Sequence, residues 1–224
     1  MSVVIKPSEI EQNSMRIIAE ELAERGISLP PEHEAVVKRV IHTTADFDYA
    51  TNLTFTSGAV QKGVAALATG CGIVTDTNMA KAGISKPALG KVGGQVHCYM
   101  ADPNVAAAAK EAGTTRAVMA MGYARTLHPN AVYAVGNAPT ALLKLSELIR
   151  DGFRPALIIG VPVGFVNVVE SKEELLATCE KYGVPAIVAL GRKGGSNVAA
   201  AICNALLYAA ADLQDPEARN WKTN

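Results

Sequence analysis

AVYAVGNAPTALLKLSELIRDGFRPALIIG, residues Ala131 to Gly160, decides the fold. It opens on an apolar run, Ala131–Val135, and closes on another, Ala156–Gly160. Between them the sequence predicts a helix over 138–150. Pro139 suits its first turn, where a missing N–H costs nothing, and Asn137 suits its N-cap. Two apolar strands separated by one helix are parallel, with a right-handed crossover. Strands this continuously apolar are buried on both faces.

Working outward, the pattern recurs. Further strands are expected at Leu53–Thr56, Gly72–Thr75, Gln95–Met100 and Ala186–Leu190. Helices are expected near 57–69, 77–82, 103–112, 115–126, 171–182 and 196–211. The units differ too much in length and content for a short-repeat array. Two helices precede them. The first covers 8–25, with Ser8 and Glu11 as a capping box, Ile10, Ile17, Ile18 and Leu22 as its apolar face, and Gly26 as its stop. The second opens at Pro30-Pro31 and carries Val36, Val37, Val40 and Ile41 into His42. The expectation is one α/β domain over 1–224, three layers deep, with a mostly parallel central sheet flanked by helices.

With 49% hydrophobic residues, 19% charged and 21 charges of each sign, nothing points to nucleic acid or a membrane surface. Cys71, Cys98, Cys179 and Cys203 include no C-x-x-C pair, so reduced, mostly buried thiols and a cytoplasmic setting are expected. MSVVIKPSEI does not read as a signal peptide, and the apolar stretch Ala199–Ala211 falls short of a membrane span.

In a parallel sheet, ligands bind beyond the carboxyl ends of the strands. The loops expected there are Asp76-Thr77-Asn78, Gly136–Thr140, Val161–Phe165 and Gly191–Ser196. With helix N-termini and the Arg192-Lys193 pair among them, this edge favours an anionic ligand. It does not read as a nucleotide site. Gly58 to Gly63 has the Walker spacing but Val64 where lysine is needed, and Gly70-Cys71-Gly72 does not complete G-x-G-x-x-G. Gly191–Ser196 is either a phosphate cradle or an ordinary tight turn. His33, His42, His97 and His128 are scattered, so no metal site is expected. His97 reads as a sheet residue and His128, before Pro129, as an exposed loop residue. Ser57 lacks a nucleophile elbow. Arg116 is either solvated or a carboxylate clamp.

RVIHTTADFDY, Arg39 to Tyr49, is the candidate chemical stretch. An imidazole exchanges protons near neutral pH. Read locally, the favoured reading of His42 is a helix-terminal residue stabilised by the dipole.

Several stretches together resemble the precorrin-8X methylmutase family of cobalamin biosynthesis, including its cobalt-dependent anaerobic branch. They are EIEQNSMRIIAEE at Glu9–Glu21, RVIHTTADFDYA at Arg39–Ala50, DTNMAKAGI at Asp76–Ile84 and GNAPTALLKL at Gly136–Leu145. PALIIGVPVGFV at Pro155–Val166, ESKEEL at Glu170–Leu175 and GRKGGSNVAAAICNAL at Gly191–Leu206 complete the set. Asn167-Val168-Val169 departs from the small residues expected before ESK. The resemblance implies an α/β homodimer, a corrinoid (tetrapyrrole) substrate and product, no cofactor, and an isomerase reaction. In that reaction a methyl group moves along the edge of the macrocycle to an adjacent carbon.

The resemblance also makes His42 the catalytic residue, giving a proton or hydrogen bond to a pyrrole nitrogen. For such a substrate the binding candidates are Ser14, Arg16, Thr43, Thr44, Asp76, Arg116, Asn137, Thr140, Gly164, Arg192 and Lys193. Thr43 and Thr44 would orient the imidazole or the ligand. Arg16, Arg116, Asn137, Thr140, Arg192 and Lys193 would line a rim for substrate carboxylates. The alternatives are a corrinoid carrier without chemistry and, less well supported, a phosphate-binding transferase.

Overall fold

The computed structural model describes residues 6–219. Two helices, α1 (Pro7–Glu24) and α2 (Pro31–Thr44), lead through a short α3 (Tyr49–Asn52) into β1 (Leu53–Phe55). Then follow α4 (Ala59–Ala68), β2 (Ile73–Thr75), α5 (Asn78–Gly83), α6 (Lys86–Lys91) and β3 (Val96–His97). After α7 (Pro103–Glu111) and α8 (Arg116–Leu127), strands and helices alternate strictly. They are β4 (Val132–Val135), α9 (Pro139–Arg150), β5 (Leu157–Gly160), α10 (Val168–Tyr182), β6 (Ala186–Ala189) and α11 (Ser196–Ala210). A 3-10 turn at Pro216–Arg219 ends the described chain.

The six strands lie in the order β1-β6-β5-β4-β2-β3. β4, β5 and β6 are buried at every position, as their sequences require. Helices cover both faces. α11 packs on α2, α4 and α5 on one side; α7, α8, α9 and α10 pack successively on the other. The chain moves one way from β2 to β3 and the other way from β4 to β6, so the topological switch point lies between β2 and β4.

Several expectations are corrected. β1 is antiparallel to β6, with Leu53 opposite Ala189 and Phe55 opposite Ile187. β3 is only two residues long, because it is a half-buried edge strand pairing with β2 alone. α1 begins at Pro7, and the predicted capping box does not form: Glu9 accepts from the Lys6 N–H, and Glu11 turns inward. Ile18 and Leu22 are buried, but Ile10 and Ile17 face solvent. Asn137 is not the N-cap of α9, which begins after Ala138. α6 was not foreseen, although Ser85 caps it by accepting from the Ala88 N–H.

Candidate functional site

The carboxyl ends of β2, β4, β5 and β6 share one edge of the sheet. The reversed β1 brings a further segment there. Because Leu53 is level with Ala189, the chain just before β1 lies beside the loop that follows β6. The Leu190 N–H donates to the Asn52 carbonyl at 2.8 Å, closing the junction. The stretch before α3 is the turn after His42. An antiparallel strand thus delivers His42 to the edge where the parallel strands end.

His42 occupies the last turn of α2, is exposed, and precedes Ala45, which ends the helix in the left-handed region at φ 53°. Partial burial holds its pKa below the ordinary histidine value, and the charges of Arg39 and Arg219 act the same way against an opposing pull from Glu11. Those three groups form a buried cluster. Glu11 accepts from Arg39 at 2.6 Å and from Arg219 at 2.6 and 2.8 Å. Burial alone would raise the pKa of Glu11; the bonds and charges of the two guanidiniums overcome it and hold it below the usual value. Two cations around one carboxylate leave a net positive charge near His42, which disfavours imidazolium and favours an anion.

Lys193 crosses from the β6–α11 loop to the turn after His42. Its Nζ donates to Asp46 and to Asp48, each at 2.6 Å. These hydrogen bonds raise the lysine pKa, and the bond to Lys193 lowers that of Asp46. The loop itself is packed backbone to backbone. A Cβ on Gly194 would lie 2.2 Å from the Val161 carbonyl, and one on Gly136 would lie 2.7 Å from the Ser196 Cα. The Gly195 N–H donates to the Val161 carbonyl at 2.8 Å. These contacts give Gly191–Ser196 the job of a tight turn locking three loops together.

Asp76 was expected among the substrate-binding residues. It is instead fully buried at the switch point, accepting from the N–H groups of Gly136, Asn137 and Ala138 at 2.8–2.9 Å. Burial pushes its carboxyl pKa up, against the pull of those donors. The carboxylate does for α9, from another strand, what Asn137 was expected to do locally.

The other candidates divide. Arg192 is exposed, with its guanidinium 5.5 Å from the centre of the Phe165 ring, and its carbonyl accepts from the Gly164 N–H at 3.3 Å. Thr140 shares a 3.0 Å hydrogen bond with Thr115, which places exposed Arg116 beside the start of α9. Asn137 is exposed on the same edge. Thr43 and Thr44 do not address the imidazole through their hydroxyls, which donate to the carbonyls of Arg39 and Val40 one turn back. Ser14 likewise donates to the Ile10 carbonyl, and exposed Arg16 pairs with Glu20 at 2.6 Å. Among the described residues no hydrogen bond or ion pair joins Ser14 or Arg16 to the other candidates.

Glu11, Arg39, Arg219 and Lys172 were not foreseen. For Lys172 a signal existed. Val168, Lys172, Leu175 and Cys179 fall at the spacing of one buried helical stripe, and all four are buried. Lys172 lies on the apolar side of its helix, where a solvated lysine has no place.

A cavity of about 510 Å³ opens at the opposite edge, lined by Cys71, Gly72, His128, Ala131, Arg154 and Ala156 among others. His128 is half-buried rather than exposed. Its ring stacks on His97 with centroids 4.0 Å apart, and its Nε2 lies 2.5 Å from the Tyr99 hydroxyl. All four cysteines are free, two buried and two half-buried. Among the described residues no group of three or more His, Cys, Asp or Glu could hold a metal ion, and no helix is long and apolar enough to cross a membrane.

An open, doubly wound sheet with its polar loops and one unengaged histidine at the carboxyl edge defines a ligand-binding α/β protein of the switch-point class. Comparison with known proteins narrows the class. The family model for precorrin-8X methylmutase matches residues 9–209. The cobalt-precorrin-8 methylmutase of Salmonella typhimurium is 46% identical over 212 residues, 93% of this chain and 98% of that protein. The precorrin-8X methylmutase of Pseudomonas aeruginosa is 41% identical over 179 residues, 80% of this chain and 85% of its own. The crystal structure of precorrin-8x methyl mutase from Thermus thermophilus superposes with a TM-score of 0.82 at 42% identity, covering 91% of this chain and 98% of that one. The chain belongs to the precorrin-8X methylmutase family.

Proposed function

We propose that this protein is an isomerase that moves a methyl group between neighbouring carbons of a corrinoid precursor, with His42 giving a proton or hydrogen bond to a pyrrole nitrogen. The bond from the methyl to one macrocycle carbon breaks as its bond to the neighbouring carbon forms. Nothing is oxidised or reduced, and no external acceptor is needed. A proton held on a pyrrole nitrogen eases the accompanying double-bond shift. A group positioned for such a transfer typically contributes about 10²–10⁴-fold.

The observation that carries this reading is the meeting of the His42 turn with the β6–α11 loop through Lys193, Asp46 and Asp48. It sets one histidine with no hydrogen-bonded protein partner among the described residues beside loops built for an anion. The substrate is an apolar disc fringed with carboxylates, and the edge offers both characters. Met79 at the start of α5 and Val163, Phe165 and Val166 on the β5–α10 loop are exposed there, with Phe165 82% accessible. Arg116 and Arg192 have no carboxylate partner among the described residues and serve the fringe; Lys193 is already paired. A second copy of the chain laid against the apolar loops would enclose the disc between subunits, and a homodimer is part of this proposal.

The test is catalytic. Purified protein at a small fraction of the precursor concentration should convert all of it, followed by visible absorption, with the cobalt-free and cobalt-bearing forms each tried. A spectral change that stops at one equivalent would make the protein a carrier. Affinity should weaken as salt rises, because the ligand is polyanionic; salt-independent binding would remove the arginine rim.

A further inference from the structure

Lys172 is 0% exposed, yet no carboxylate pairs with it among the described residues. Its Nζ donates instead to two backbone carbonyls, Gly191 and Lys193, at 2.8 Å each. Nothing in the packing of α10 asks for a cation there. Leucine or methionine would continue the stripe of Val168, Leu175 and Cys179 without the cost of taking a charge out of water. Burial pulls the lysine pKa down to about 8, a measure of that cost. The two carbonyls it draws inward flank one residue, Arg192. With its neighbours' carbonyls fixed, Arg192 is turned to the surface over Phe165, and its own carbonyl is held by the Gly164 N–H. The second carbonyl belongs to Lys193, whose side chain ties the loop to Asp46 and Asp48.

We propose that Lys172 is a positioning residue for substrate recognition: from inside the fold it clamps the Gly191–Lys193 loop so that Arg192 is presented, preset, to a carboxylate on the substrate rim. Lys172 never touches the ligand. It removes the freedom that a glycine-bounded loop would otherwise lose on binding, which is the physical content of preorganisation. This rests on the reading of the carboxyl edge as the corrinoid site.

The test is a double-mutant cycle with K172M and R192A, read as KM and kcat for the tetrapyrrole precursor, with circular dichroism and thermal melting of each protein. R192A alone should raise KM at least about tenfold, the loss expected for one charge-assisted contact. K172M alone should raise KM by a similar factor while kcat changes less than about threefold. In the R192A background, K172M should add less than about twofold, because the side chain it presents is already gone. Fully additive effects, or a fall in kcat with KM unchanged, would overturn the proposal. Normal KM in R192A would instead break the underlying reading of the edge, so the two failures are distinguishable. K172Q, which keeps a donor head on a shorter stem, should fall between wild type and K172M in KM. If neither variant folds, Lys172 is a structural residue and the proposal fails.

Discussion

The two edges of the sheet use the same residue types to opposite ends. At the amino edge, His128 stacks on His97 and meets the Tyr99 hydroxyl, and Cys71 donates to the Asn130 carbonyl. These polar groups are occupied by their neighbours. At the carboxyl edge, supporting groups are engaged and presenting groups are free. Asp76, Lys172 and Lys193 are bound into the frame, while His42 and Arg192 face outward. A cavity marks the first edge, whereas the second offers polar side chains that the fold holds but leaves without a partner among the described residues.

The contrast is sharpest in the supports. Asp76→Ala would orphan three N–H groups at the start of α9, and should lower unfolding free energy by roughly 3–5 kcal/mol in urea titration. Cys71→Ala at the other edge should cost only about 1 kcal/mol. Equal costs would remove the distinction between the edges.

The next largest difference lies in the histidines. His42→Ala should bind tetrapyrrole but turn over at least about a hundredfold slower, close to 2.7 kcal/mol in the barrier, with little change in melting temperature. His128→Ala should melt earlier, for want of its stacked and hydrogen-bonded neighbours, while turnover stays within about threefold. A histidine at the amino edge that proved indispensable to turnover would reverse the assignment.

The smallest effect is a pH slope. His42, His97 and His128 all have pKa values lowered by burial, His97 further by the charges of His128 and Lys81. Groups depressed in the folded state contribute stability that is present above the unfolded value near 6.5. That stability is lost as pH falls through the folded value. Unfolding free energy measured from pH 7.5 down to 5 should therefore fall, and replacing any of the three histidines by alanine should flatten the slope. A slope unchanged in all three variants would mean that other groups carry it.

What the sequence disclosed follows from what a local pattern can encode. β4, β5 and β6 were legible because strands buried on both faces must be apolar throughout. The direction of β1 was not, because LTF reads alike in either direction and its partner lies far along the chain. The glycine loops announced an edge, but their internal bonds depend on carbonyls from other strands, as at Gly194. Asn137 looked like a cap because caps are usually local; the acceptor came from Asp76 instead. Arg192 and Arg116 were legible as exposed cations, whereas the pairing of Lys193 with Asp46 and Asp48 joins segments that no spacing rule connects.

The pairing of β1 with β6 has a temporal consequence. Residue 53 has no strand partner until residue 189 has been synthesised, and Glu11 meets Arg219 only across 208 residues. The surroundings of His42 are assembled from segments far apart in the chain. A chain emerging from the ribosome can form the parallel βα units one after another, yet the turn after His42 lacks its tie to the β6–α11 loop until Lys193 has been made. A fragment ending before β6 would carry His42 without the strand and loop that its turn meets.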